Sequence, residues 1–310
     1  MSQHLFITGG SGYLGQAIGQ RLLRAGHRVS SLVRSESGAK SLSALGITPV
    51  LGGLDDVASL DLESYDGVID TATADHAPST AAFLSALAGS ERPFIRTSGT
   101  GVYTDLGGGV RSEVVYRETD RFTPAPVVSA RYQSDELVLG ARDQGIRTIV
   151  IRPAMVYGDG ASEQLPLLLR YALRTGRSIY AGSGENRWSN VYLYDLAEFY
   201  LLALEKAAPG SVYNIASGEC EMRSIAEGIA EVLGLGEAEG VHIDEARAEL
   251  GERWVDVALA SNSRVDSTSA RTDLGWAPVG PSLLEDLVRG SYRRVWASKG
   301  DPHDHVTAKG

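Results

Sequence analysis

The stretch that most constrains this chain stands at its beginning: His4-Leu5-Phe6-Ile7-Thr8-Gly9-Gly10-Ser11-Gly12-Tyr13-Leu14-Gly15. The apolar run Leu5 to Ile7 reads as a buried strand, broken at Thr8 by glycines. A helical pattern follows, with Ala17, Ile18, Leu22 and Leu23 on one face and Gly26 at its close. Gly9, Gly12 and Gly15 fall three residues apart. Gly9 permits the tight turn, Gly12 lets backbone approach a pyrophosphate, and Gly15 lets the helix lie close to the strand. The helix N-terminus adds N–H groups and a positive dipole end, with Ser11, Tyr13 and Leu14 beside them. The alternative is a glycine-rich turn that holds no ligand, but a strand before and a helix after are what a dinucleotide site requires.

Further along, strands are expected over 28–34, 48–51, 67–72, 93–97 and 147–152. Helical stretches are expected over 39–45, 80–88 and 129–144. Strands alternating with helices at this spacing predict an α/β fold with a Rossmann-type, doubly wound parallel sheet. Ligands in such sheets bind beyond the carboxyl ends of the strands. That places Thr71 and Ala72 after the fourth strand, and Pro153 and Met155 after the sixth, among the cofactor candidates. Helices are also expected over 165–174, 196–206 (N-capped by Asp195), 224–233 and 270–276, with strands at 191–193 and 212–216 and one last helix within 278–296. The dinucleotide-binding domain is therefore expected over 1–155 and 191–218, a smaller C-terminal substrate lobe over 156–190 and 219–298, and a flexible tail over 299–310.

The net charge of −10 disfavours a general nucleic-acid binder. One cysteine excludes an internal disulfide and a cysteine-rich zinc site, and the scattered histidines, His303 and His305 included, suggest no metal. No apolar run reaches membrane-spanning length, and the N-terminus runs directly into the first strand. A soluble cytoplasmic protein, monomeric or homodimeric, with a small-molecule substrate is the expectation.

The chain resembles the extended and atypical short-chain dehydrogenases/reductases, the NAD-dependent epimerase/dehydratase group. The resemblance rests on the glycine motif, on Thr97-Ser98-Gly99-Thr100-Gly101-Val102-Tyr103, on Arg152-Pro153-Ala154-Met155-Val156-Tyr157-Gly158, on Asp195-Leu196-Ala197 and on Leu274-Gly275-Trp276-Ala277-Pro278. It implies a catalytic Tyr-x-x-x-Lys pair and an upstream Ser or Thr. Aligned through Glu136-Leu137-Val138-Leu139, the tyrosine position falls on Val128, the lysine position on Tyr132 and the hydroxyl position on Gly99. If Tyr132 is instead taken as the tyrosine, Glu136 stands where lysine should be, and a carboxylate there would raise the tyrosine pKa. The proton machinery is thus expected to be non-standard, drawing on Tyr132, Thr100, Ser98 or water.

Arg34, at the end of the second strand, suits a 2′-phosphate, with Ser35 adjoining; NADP is favoured over NAD. Leu54 and Asp55 sit where the resemblance implies an adenine contact. Asp75 and His76 follow the fourth strand and read either as an acid/base pair or as a capped turn, and Tyr157 follows the sixth strand. Arg131 is a further polar donor or a solvated helix charge. Nucleotide-sugar members of the group carry an arginine where this chain has Trp188, beside Arg187; an indole there suits an aromatic or polycyclic substrate, or simply core. The expected activity is reduction or oxidation of a small carbonyl or alcohol. A redox-silent isomerase, cyclase or lyase and a non-enzymatic dinucleotide sensor are the alternatives.

Overall fold

The computed structural model describes residues 2–297, so the expected tail, with His303 and His305, lies outside the described residues. The first half alternates strand and helix: β1 His4–Thr8, α1 Tyr13–Arg24, β2 Arg28–Val33, α2 Glu36–Ala44, β3 Thr48–Leu51, β4 Gly67–Asp70, α3 Ala77–Leu87, β5 Pro93–Thr97, α4 Ser129–Gly140 and β6 Arg147–Pro153. After β7 Met155–Tyr157, α5 Gln164–Thr175, β8 Ile179–Ala181 and β9 Arg187–Tyr192 come α6 Leu193–Lys206 and β10 Ser211–Ile215. β10 closes a seven-stranded parallel sheet of order β3-β2-β1-β4-β5-β6-β10. This is a Rossmann-type doubly wound sheet.

Both faces of the sheet are covered, which is why its strands read as near-continuous apolar runs. On one face Leu5, Ile7, Ile69, Ile95 and Ile149 pack against Ile18 and Leu22 of α1 and Leu196, Phe199 and Tyr200 of α6. On the other, Phe6, Val68, Phe94 and Val150 pack against Phe83 and Leu87 of α3 and Val138 of α4. The β1–β4 register sets Thr8 opposite Asp70 at the carboxyl edge.

A second core joins α5, β8 and β9 to β11 Gly218–Glu221, α7 Met222–Leu233, β12 Glu239–Val241 and α8 Ile243–Leu250. β7, β9 and β11 form a three-stranded sheet, and β8 pairs with β12.

Two local expectations are corrected. Asp195 does not cap α6: the helix begins at Leu193, and the Asp195 carboxylate instead accepts the Val279 and Gly280 N–H groups at 3.0 and 2.9 Å. The last helix is two, Leu283–Val288 and Ser291–Trp296, broken at Gly290, where the Asp286 carboxylate accepts from the Ser291 N–H (2.7 Å) and Oγ (2.6 Å).

Candidate active site

The glycine loop turns sharply from β1 into α1. Gly9 has φ +69°, and a Cβ on it would lie 2.8 Å from the Ala72 Cα, so the loops after β1 and β4 touch through a position only glycine fills. A Cβ on Gly15 would meet the Gly9 oxygen at 2.2 Å, which is how closely the helix lies on the turn. Gly12 differs: a Cβ there would have only the Gly9 oxygen within reach, at 3.2 Å. Internal packing at 12 is tight but far less demanding than at 15. Gly12 is also the N-cap of α1, and no side chain caps it. Ser11 and Gly12 are exposed, so orphan N–H groups at the positive end of a twelve-residue helix are open to a ligand. The residues present fit the pyrophosphate of a dinucleotide.

Around the loop, Thr8 Oγ1 donates to Asp70 Oδ1 (2.5 Å) and accepts the Thr71 and Ala72 N–H groups (3.1 and 3.2 Å). Thr71 returns its own hydroxyl to the Thr8 carbonyl at 2.7 Å. Burial pushes the Asp70 carboxyl above its ordinary range. The Tyr13 hydroxyl donates to the Gly158 carbonyl (3.0 Å), tying α1 to the turn after β7; burial raises this phenol far beyond the ordinary tyrosine range. Arg34 is exposed just past β2, and Ser35 caps α2 by accepting the Gly38 N–H at 3.2 Å. Leu54 and Asp55 open a 3₁₀ turn, Leu54–Ser59, with Asp55 fully open to solvent. Leu14 is half-buried on the first turn of α1, while Pro153 and Met155 are buried at the β6 carboxyl end.

The mouth of the sheet lies beyond β4, β5 and β6. Asp75 and His76 do not pair with each other. His76 is the N-cap of α3, its Nδ1 accepting the Ser79 N–H at 3.2 Å, and its Nε2 faces Asp55 at 3.4 Å. Asp75 faces Arg131 Nε (3.3 Å) and Arg253 Nη2 (3.7 Å). Thr100 is buried at the head of a 3₁₀ turn, Thr100–Tyr103, and its Oγ1 has no hydrogen-bond partner among the described residues. Ser98 donates to Asp135 Oδ2 at 2.8 Å. Tyr132 is half-buried, its ring edge-on to Phe122 at 5.0 Å; burial and the neighbouring Glu136 raise its pKa. Val128 is buried just ahead of α4. The described residues contain two lysines. Lys40 is exposed on α2, and Lys206 ends α6 with its amine on the Leu274 carbonyl, so neither attends Tyr132.

Sequence reasoning missed what holds this mouth. Asp135, fully buried on α4, accepts from Arg96 Nε (3.1 Å), Ser98 Oγ and Arg152 Nε (3.0 Å). Arg96 lies 3.7 Å from Asp70, and Arg152 Nη1 donates to the Tyr103 hydroxyl at 2.7 Å, which donates to Asn214 Oδ1 at 3.1 Å. Two arginines inside otherwise apolar strands were the available signal, since buried arginine needs a carboxylate.

In the second core, Tyr157 is buried, with its hydroxyl on the Pro281 carbonyl at 2.6 Å. Trp188 is 4% exposed and donates its indole N–H to the Ser261 carbonyl at 3.0 Å. Arg187 pairs with Glu219 (3.2 Å) and Glu221 (2.7 Å) along a surface groove that also includes Cys220. The structure sets Trp188 inside the lobe and Arg187 on its surface. Among the described residues no cluster of His, Cys, Asp or Glu could hold a metal, and no helix is long and apolar enough to cross a membrane.

This architecture matches known proteins closely. Residues 79–216 match the model of the NAD dependent epimerase/dehydratase family, and residues 1–104 that of the NmrA-like family. An uncharacterised protein of Schizosaccharomyces pombe is 33% identical across 93% of this chain and 99% of its own length. A 4-hydroxy-2-methyl-3-oxo-4-farnesyl-3,4-dihydroquinoline-1-oxide ketoreductase of Stigmatella aurantiaca is 32% identical across 88% of this chain and 91% of its own. Among solved structures, dTDP-glucose 4,6-dehydratase of Bacillus anthracis in complex with NAD superposes with a TM-score of 0.75 at 17% identity, covering 94% of this chain and 96% of that one. The family models, the relatives and the fold agree, and the chain belongs to the NAD-dependent epimerase/dehydratase family of extended short-chain dehydrogenases/reductases.

Proposed function

We propose that this protein is an NADP-preferring reductase of a small, lipophilic ketone, working without the family's Tyr–Lys pair. The observation that carries the reading is the open N-terminus of α1 over Gly12, where no side chain caps the helix and a Cβ would meet only the Gly9 oxygen, at the same sheet edge as the mouth around Gly99. A reduced nicotinamide dinucleotide bound there supplies hydride chemistry. The glycine loop and the α1 N–H groups hold its pyrophosphate, Arg34 and Ser35 face its 2′-phosphate, and Leu54 and Asp55 flank its adenine. Thr71, Ala72, Pro153 and Met155 line its path along the sheet edge.

The direction of the reaction is supported by relatives whose names record reduction of ketones: the Stigmatella ketoreductase, and a 2-alkyl-3-oxoalkanoate reductase of Stenotrophomonas maltophilia, 27% identical over 74% of this chain. The apolar character is supported by the irregular segment 104–125, which leaves the mouth carrying the exposed side chains Leu106, Val110, Val114 and Val115. Thr100, Ser98 and Tyr132 are the hydroxyls at the mouth. Ser98 is committed to Asp135 and Tyr132 is biased against ionising, which leaves Thr100 as the hydroxyl with bonding capacity to spare.

The test is consumption of NADPH and NADH, followed by absorbance, across a panel of alkyl ketones and 3-oxo acids. Turnover with NADPH exceeding NADH is expected. Arg34→Asp should weaken NADPH binding more than NADH binding; equal losses would remove Arg34 from the 2′-phosphate. A panel with no turnover, together with a bound substrate rearranged at constant cofactor absorbance, would replace the reductase by an isomerase or lyase.

A further inference from the structure

Position 99, where the family carries a serine or threonine hydroxyl, is a glycine, but its place is not left open. A Cβ on Gly99 would lie 3.3 Å from Arg131 Nη1, and a Cβ on Gly101 would lie 3.3 Å from the same nitrogen. The guanidinium of Arg131, projecting from the first turn of α4, therefore lies against the backbone just past β5, in room created by two missing side chains. Its Nε is held by Asp75 at 3.3 Å, and Asp75 is shared with Arg253 at 3.7 Å, so one carboxylate stands between two cations. Among the described residues neither Nη of Arg131 has a hydrogen-bond partner, and the side chain keeps 27% of its surface open.

We infer that Arg131 is a catalytic residue that donates a hydrogen bond from Nη to the carbonyl oxygen of a ketone substrate, with Asp75 as its positioning residue. This rests on the reductase reading. Reduction places a hydride on the carbonyl carbon, and the C=O π pair moves onto oxygen. A fixed cation beside that oxygen stabilises charge that develops only during the reaction, which is where such a donor accelerates chemistry. A guanidinium does not surrender its proton in this pH range, so it holds the alkoxide and water supplies the proton, leaving hydroxide to the buffer. The arrangement explains why both 99 and 101 are glycine, and why no lysine is needed at position 132.

Three measurements decide it. Arg131→Gln should lower kcat by roughly 10²–10³-fold, the usual cost of one oxyanion donor, with calorimetric affinity for NADPH unchanged. Guanidinium ion added at millimolar concentration should restore part of the kcat of Arg131→Ala, which a merely structural role would not allow. Asp75→Asn should give a smaller loss, shared between kcat and KM. Unchanged kcat/KM in Arg131→Gln overturns the inference, as does loss without guanidinium rescue. If the wild type reduces no ketone at all, the reductase reading fails separately, and Arg131 is judged by binding alone. Acetylacetonate, whose enolate oxygens resemble the developing alkoxide, is titrated into protein saturated with NADP⁺; binding lost in Arg131→Gln supports an oxyanion site, and absence of wild-type binding overturns it.

Discussion

At the scale of single residues, the glycines divide by what fills the space beside them. Gly15 is required by the protein itself: a Cβ 2.2 Å from the Gly9 oxygen cannot be absorbed without moving backbone. Gly15→Ala should cost about 1–3 kcal/mol of stability, as overpacking does, and lower the urea midpoint. Gly12 is less constrained from within, since a Cβ there would have only the Gly9 oxygen nearby, at 3.2 Å. Aspartate is a favoured N-cap, which offsets the tight contact, so Gly12→Asp should shift the melting temperature less than Gly15→Ala does while abolishing NADPH binding, because its carboxylate would face the pyrophosphate. Unchanged binding by calorimetry would remove the glycine loop as the cofactor site. Both glycines stand out in the sequence, whereas their different reasons emerge only from the distances. Arg131 shows the same limit. The sequence offers it either as a polar donor or as a solvated helix charge and does not decide between them, because the room over Gly99 and Gly101 is a three-dimensional fact that no spacing encodes.

At the scale of elements, the main sheet was legible because its strands are buried on both faces and bounded by glycine and proline. β5 falls where the apolar run predicts, over Pro93–Thr97, whereas the edge strand β3, at the expected Thr48–Leu51, is only partly covered. The lobe was harder to read. β9 extends back to Arg187, but Ser189 and Asn190 are buried polar residues, the Ser189 hydroxyl accepting the Val265 N–H, so apolar alternation never appears. The single last helix expected within 278–296 is two, because the Asp286 carboxylate folds back onto Ser291 and breaks it at Gly290. The first two strands carry a pH dependence. Burial, more than any neighbouring charge, holds His4 on β1 and His27 before β2 below the ordinary histidine pKa of 6.5. The folded chain thus prefers both rings neutral, and this contribution, present above the unfolded value, is lost as pH falls below it. Melting temperature should drop between about pH 7 and 5, and His27→Gln, which can still offer an acceptor to the Gln3 N–H, should flatten that drop; identical slopes would assign it elsewhere.

At the scale of the whole molecule, two cores meet over the sheet mouth, through an apolar cluster that includes Val102, Tyr103, Ala216 and Val265 and through polar contacts. Ser263 Oγ donates to the Thr100 carbonyl at 2.8 Å, and the Asn262 N–H donates to Asp105 at 2.8 Å. The group beneath all of this is Asp135. One carboxylate, 0% exposed, binds Arg96 and Ser98 of the β5 end and Arg152 of β6, and so fixes the two strands whose carboxyl ends carry Gly99 and Pro153. Arg96 and Arg152 are 0% and 3% exposed, so losing the carboxylate leaves two desolvated cations with incomplete compensation. Arg96 keeps the Thr80 hydroxyl, the Ala74 carbonyl and, more distantly, Asp70; among the described residues Arg152 keeps only the Tyr103 hydroxyl and the faces of Tyr103 and Phe122. Breaking one partner out of a buried ion pair costs about 3–5 kcal/mol, so Asp135→Ala should lower the unfolding free energy by that much, read as a lowered urea midpoint at unchanged slope. Ser98→Ala removes a single donor from the same carboxylate and should cost about 1 kcal/mol. If the two variants proved equally mild, the arginines would be finding other anions, and the mouth would not hang on this one side chain. If Asp135→Ala is the severe one, activity should fall in step with the loss of folded protein, whereas Arg131→Gln should lose activity with the folded fraction intact.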